Sequence, residues 1–147
     1  MQMIEKVWIW IVRVVGAVGG FLAGLLGGWD GSLAALLIAM AVDFATGLLV
    51  AYHGKSGKTE TGGLSSGVSF LGLTKKIVVL LLVGLAVSLD AALDTPGVLR
   101  MAVVMFYVAN EGLSIMENVA LLGMKLPKAL VSALETMRDK NDEENKA

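Results

Sequence analysis

Four apolar stretches dictate what this chain can fold into, each close to the roughly 20 residues that a helix needs to cross a bilayer. They run from about Val7 to Gly28, Ser32 to Tyr52, Ile77 to Leu93 and Val98 to Met116. Hydrocarbon offers the backbone no hydrogen-bond partner, so each stretch must satisfy itself as a helix. The mean hydropathy of +0.75 agrees, with charged residues at 17% and clustered between the apolar runs. Trp29-Asp30-Gly31 and Thr95-Pro96-Gly97 mark tight turns, and a polar Gly/Ser/Lys loop reaches to about Ser66. Beyond the fourth stretch Leu126, Leu130, Leu134 and Met137 recur every three or four residues, with Pro127 suited to a first helical turn. The expected architecture is an all-α integral membrane protein: a bundle of three to four transmembrane helices plus a C-terminal amphipathic cytoplasmic helix. Residues 1–137 form one membrane domain with the amphipathic helix at 127–137, and 138–147 form a charged, disordered tail.

Composition narrows function. A net charge of −1 implies no nucleic-acid partner. The chain has no cysteine and one histidine, which removes disulfides, thiol nucleophiles and most metal sites, so no cofactor is expected. Glu5 and Lys6 precede the first apolar run, which reads as a retained anchor rather than a cleaved signal, with cleavage near Ala23 the alternative. Basic residues set orientation. Lys55, Lys58, Lys75 and Lys76 lie between the second and third stretches, and Lys125, Lys128, Arg138, Lys140 and Lys146 follow the fourth. The positive-inside rule places that loop and the C-terminus in the cytoplasm, and four crossings place the N-terminus there too. Lys75 and Lys76 are expected to snorkel at the start of the third stretch and anchor its topology.

Polar residues inside the spans are the candidate functional positions. In the fourth, Tyr107, Asn110 or Glu111, Ser114, and Glu117 or Asn118 share one helix face. Lipid does not solvate such a stripe, so it faces protein, water or the membrane surface. Arg13 lies about 9 Å along a helix from Val7, Asp43 roughly 13 Å from Tyr52 and Glu111 about 8 Å from Met116. An unpaired central charge costs about 2.5–3.5 kcal/mol on the lenient insertion scale, so a shared depth suggests Arg13 pairing with Asp43 or Glu111. Thr46 and Gly47 share the face of Asp43 and suit close packing around a hydrogen-bonded carboxylate. Gly16, Gly20, Gly24 and Gly28 recur every four residues in the first stretch, a pattern that lets helix backbones approach closely within or between subunits.

Two motifs resemble catalytic ones. Gly57-Lys58-Thr59 lacks the leading glycine of a phosphate-binding loop, since Tyr52 stands at that position. Gly63-Leu64-Ser65-Ser66-Gly67 matches a nucleophile elbow, but the lone His53 precedes it and no triad follows. Both read as chance matches in a Gly/Ser-rich loop, and the chain is not expected to be an enzyme.

Met40-Ala41-Val42-Asp43-Phe44-Ala45-Thr46-Gly47 is followed by Ser65-Ser66 and Gly72-Leu73-Thr74-Lys75-Lys76. Then come Tyr107-Val108-Ala109-Asn110-Glu111-Gly112-Leu113-Ser114-Ile115-Met116-Glu117-Asn118, and Gly123 with Leu126-Pro127-Lys128-Ala129-Leu130. In this order, over about Trp29 to Leu134, the chain resembles the phage lysis and toxin-secretion holins, including clostridial toxin-release holins. The resemblance implies a homo-oligomer in the bacterial cytoplasmic membrane that opens lesions, through which an endolysin or toxin leaves. The family is often described with three helices, against four apolar stretches here. Other readings of the same residues are a small proton-coupled exporter using Asp43 or Glu111, and an anti-holin or regulatory subunit of the same fold.

Overall fold

The structure is a computed structural model and describes residues 2–133 and 136. Helix α1 spans Gln2–Leu25, α2 Gly31–Tyr52, α3 Ser66–Leu93 and α4 Val98–Leu121. All four are long and apolar enough to cross a membrane. The third and fourth exceed the expected bounds. Ser65 caps α3 by accepting from the Val68 N–H, so α3 starts well before Ile77 and carries Lys75 and Lys76 in its interior. Gly28 leaves the glycine row, because α1 ends at Leu25 and Gly28 sits in the following turn at φ +96°. Residues 128–133 are helical, within the expected amphipathic helix. Leu134, Met137 and the tail at 138–147 lie outside the described residues.

Helices α2, α3 and α4 form the packed unit, with α4 lying mainly against α2 and then against α3. The polar contacts fix their directions. Residues 30 and 100 meet at one end and residues 46 and 118 towards the other, so α2 and α4 run parallel. Asp90 meets Arg100 while Lys76 meets Glu111, so α3 runs antiparallel to both. The bundle therefore has a turn end, holding the α1–α2 and α3–α4 turns, and a loop end, holding the α2–α3 loop.

Periodicity explains which faces turn inward. Leu33, Leu36 and Met40 are buried on α2, and Val79, Val83 and Ala86 on α3. Leu36, Met40, Val79, Val83 and Val104 make the shared core, with Tyr107 and Val108 packed on it. These positions recur at three and four residues, the spacing of one helix face. Helix α1 differs, since its apolar window has no residue buried in the structure.

Caps set the ends at the turns. Asp30 Oδ1 accepts from the Leu33 N–H at 2.8 Å and starts α2. Helix α4 begins after Gly97, which has no capping side chain. Its first free N–H groups, on Leu99 and Arg100, donate instead to the Asp90 carboxylate of α3 at 2.9 and 2.8 Å. One buried acid thus closes the α3–α4 turn and satisfies donors that would otherwise be orphaned.

Candidate functional site

The inward face of α4 reads Arg100, Val104, Tyr107, Glu111, Ser114, Asn118, spaced alternately by four and three residues. That spacing keeps one seam against the neighbouring helices. Two polar clusters sit on this seam, separated by the apolar layer around Val104.

The deeper cluster joins three helices. Lys76 Nζ of α3 lies 2.8 Å from Asp43 Oδ2 of α2 and also forms an ion pair with Glu111 of α4. All three side chains are largely shielded, with Glu111 the most at 9% exposure. Asn118 Nδ2 donates to Thr46 Oγ1 at 3.0 Å and lies 3.2 Å from Asp43 Oδ1. The Thr46 hydroxyl in turn donates back to the Val42 carbonyl at 2.9 Å. Gly47 sits beside this network, where an added Cβ would come within 3.7 Å of Asn118. Two carboxylates therefore share one ammonium. Such a cluster carries an excess negative charge whenever both acids are ionised, and burial amplifies that imbalance.

Between α2, α3 and α4, towards the loop end, lies a cavity of about 680 Å³. Asp43, Lys76, Glu111 and Ser114 line it, as do Ser56 and Lys58 from the α2–α3 loop. The ion cluster is thus placed beside space that a polar group or water can enter.

The second cluster occupies the turn end. Arg100 is buried, with its guanidinium 2.6 Å from Asp30 Oδ2. It also donates to the carbonyls of Leu26 at 2.6 Å and Gly28 at 3.3 Å. The Arg100 guanidinium and the Leu33 N–H hold the Asp30 carboxyl well below the usual carboxylate range. This clamp ties the α1–α2 turn to α4.

The structure sorts the expected site residues. It brings together Asp43, Thr46, Gly47, Glu111, Ser114 and Asn118. Asn110 is exposed yet lines the same cavity, whereas Glu117 is exposed and away from it, because the buried seam passes through Glu111 and Asn118. Within one chain the partner of Asp43 and Glu111 is Lys76 and not Arg13, which is exposed on α1. Lys76 also does not snorkel at a helix start, since α3 continues N-terminally past it and holds it in the bundle. Lys75 stays exposed. Periodicity alone does not separate the two lysines, since Val79 stands at i+3 from Lys76 and at i+4 from Lys75; the packing of α3 turns Lys76 inward. Gly16, Gly20 and Gly24 have nothing of this chain within 4 Å of an added Cβ. In the sequence Arg100 stands as a lone charge just after the Thr95-Pro96-Gly97 turn. Its spacing of eleven residues from Glu111, three helical turns, is the signal that places it on the same seam.

The residues that resemble catalytic motifs have structural positions. Ser65 is the N-cap of α3, and His53 Nδ1 lies 2.8 Å from the Leu49 carbonyl at the end of α2.

A profile of the bacteriophage holin family matches residues 20–139, from the end of α1 through the whole packed unit. The chain belongs to the bacteriophage holin family. A relative described as a probable holin, from Bacillus phage phi105, is 35% identical over 74% of this chain and 75% of its own length. An uncharacterized protein of Clostridium perfringens is 33% identical over 94% of this chain and 98% of its own. Another, from Listeria innocua, is 38% identical over 89% and 87%. No solved structure matches the chain. The family and the four apolar helices make this a multi-pass, holin-type membrane protein, and holins are not a family of enzymes. The Asp43–Lys76–Glu111 cluster of this holin-family chain thus lies within helices long and apolar enough to cross a bilayer.

Proposed function

We propose that this holin-family chain oligomerises in the bacterial cytoplasmic membrane and opens a lesion, without catalysis, through which an endolysin or toxin leaves the cytoplasm. The observation that carries this reading is the Asp43–Lys76–Glu111 cluster, set inside the spanning helices beside a cavity of about 680 Å³. Ionisable groups at such depth mark ion or substrate paths, because lipid alone does not tolerate them. The uncovered α1 supports assembly, since its small-residue face meets nothing in its own chain. Basic residues support an orientation with the loop end in the cytoplasm. Lys55 and Lys58 are exposed there, whereas Arg100 at the turn end is neutralised by Asp30.

The test is induction of the chain alone in a bacterial host, then together with a cytoplasmic endolysin, following membrane potential and culture density. Abrupt depolarisation, with lysis only when endolysin is present, is the expected result. Retained potential at full expression would overturn the reading. It would leave a regulatory subunit or a proton-coupled exporter, and two carboxylates sharing one ammonium would suit the latter.

A further inference from the structure

Helix α1 carries an ionised residue that its own chain leaves out of the bundle. Arg13 is exposed and, among the described residues, makes no ion pair. It lies on the same face as Gly16, Gly20 and Gly24, at offsets of three, seven and eleven residues. That face is therefore flat, small and positively charged at one point. Every other cation buried in the bundle has its carboxylate: Lys76 meets Asp43 and Glu111, and Arg100 meets Asp30.

The charge that Arg13 lacks is present at the deeper cluster. Asp43 and Glu111 share a single ammonium, and both line the cavity between the helices. Depth agrees as well as sign. At about 1.5 Å per residue, Arg13 lies roughly 20 Å along α1 from the turn end, Asp43 and Glu111 lie about 18–20 Å along theirs, and Lys76 lies about 25 Å along α3 and reaches back to them through its long side chain. The way in is also built from small residues: Gly47 and Gly72 line the cavity on α2 and α3, and an added Cβ at Gly72 would meet nothing within 4 Å. A short turn held by Arg100 joins α1 to α2, so the outer end of α1 is tethered while the rest stays clear of its own bundle.

We infer that α1 of a second copy docks against the α2–α3 face of this chain, its glycine face inward, and delivers Arg13 to the Asp43–Glu111 pair. The site then holds two carboxylates and two cations, one from each copy, and each copy both gives and receives an α1. Exchanged reciprocally between two copies the contact closes a dimer, and passed on from copy to copy it builds rings or open chains. The inference deepens the assembly part of the proposed function and rests on it.

The chain has no native cysteine, so paired single-cysteine chains report the contact cleanly. Ile9 shares the Arg13 face at i−4, and Leu48 lines the cavity at the matching depth. Leu73 lies at a similar depth outside the cavity lining, exposed on α3. Two differently tagged full-length chains, Ile9→Cys and Leu48→Cys, are co-expressed and oxidised in bacterial membranes. The expected result is a mixed crosslink at Ile9/Leu48 several-fold above that at Ile9/Leu73. Arg13→Ala in the donor chain should reduce it several-fold, and Arg13→Lys should largely restore it. Equal yields at Leu48 and Leu73, indifference to Arg13→Ala, or a crosslink seen only within chains carrying both cysteines would each overturn the inference. The last outcome assigns the contact to the chain's own α1. Depolarisation by the cysteine-free chain is recorded in the same cells. Depolarisation without the mixed crosslink removes the docking and leaves the lesion reading standing. A specific mixed crosslink without depolarisation supports the docking and removes the lesion.

Discussion

Inside the bundle one ammonium faces two carboxylates, and Lys76 is the residue on which the three packed helices converge. Lys76→Met keeps the length of the side chain and removes its charge, leaving Asp43 and Glu111 opposed in a shielded site. Breaking a buried pair from one side is costly, on the order of 3 kcal/mol. Thermal unfolding in detergent micelles should show a clearly lowered midpoint, and an unchanged midpoint would mean the cluster contributes little to stability. At the turn end, Asp30 gives the acid-side behaviour. Its carboxyl is depressed by Arg100 and by the Leu33 N–H, so its contribution is fully present above the unfolded value of about 3.9. That contribution is lost as pH falls below this value towards the folded one. Melting of the wild type should therefore weaken below about pH 4 more steeply than melting of Asp30→Asn. Parallel curves for the two proteins would show that Asp30 is not a source of the acid sensitivity.

The elements meet through their ends as much as through their faces. Gly27 lies in the α1–α2 turn at φ +86°, a backbone region that side chains resist. A Cβ there would stand 2.6 Å from Arg100 Nε and 2.7 Å from its Cδ. Gly27→Ala must strain the turn or expel the guanidinium from its carbonyl partners. The expected cost is about 1–3 kcal/mol, read as faster hydrogen exchange at Leu99 and Arg100 and in the first turn of α2. Gly16→Ala meets open space in its own chain and serves as the matched control, with exchange in those turns unchanged. Exchange that is equally slow in Gly27→Ala would argue against a clamp. Asp90 shows the same logic from α3, since it caps a helix to which it does not belong.

At the scale of the molecule, α2, α3 and α4 form the packed unit, and the uncovered α1 is the helix left free for the proposed assembly. Gly20 has no neighbour within 4 Å in its own chain, so Gly20→Leu should leave the fold and insertion intact. Any effect it has must come from another copy. We expect a several-fold loss of the higher bands in a crosslinked oligomer ladder, with membrane insertion at wild-type level. Undiminished bands would place the subunit contacts away from this face.

The sequence by itself determined how many apolar helices form, though not where α3 begins or α4 ends. Apolar length set four helices, and the turn signals at Trp29-Asp30-Gly31 and Thr95-Pro96-Gly97 set where they break, because hydrocarbon leaves the backbone no other choice. It also determined that Asp43 and Glu111 needed a cation, since an intramembrane charge is expensive wherever it lies. Only the tertiary structure decided which cation answers them in the chain. Arg13 and Lys76 reach comparable depths, and depth along a helix says nothing about which face turns inward or which helix stands beside it. The packing of α3 against α2 and α4 brings Lys76 into the seam, while α1 packs against none of them along its length. The Arg100 clamp escaped for the same reason, because its partners lie 70 and more residues away and meet only once the turn ends are brought together.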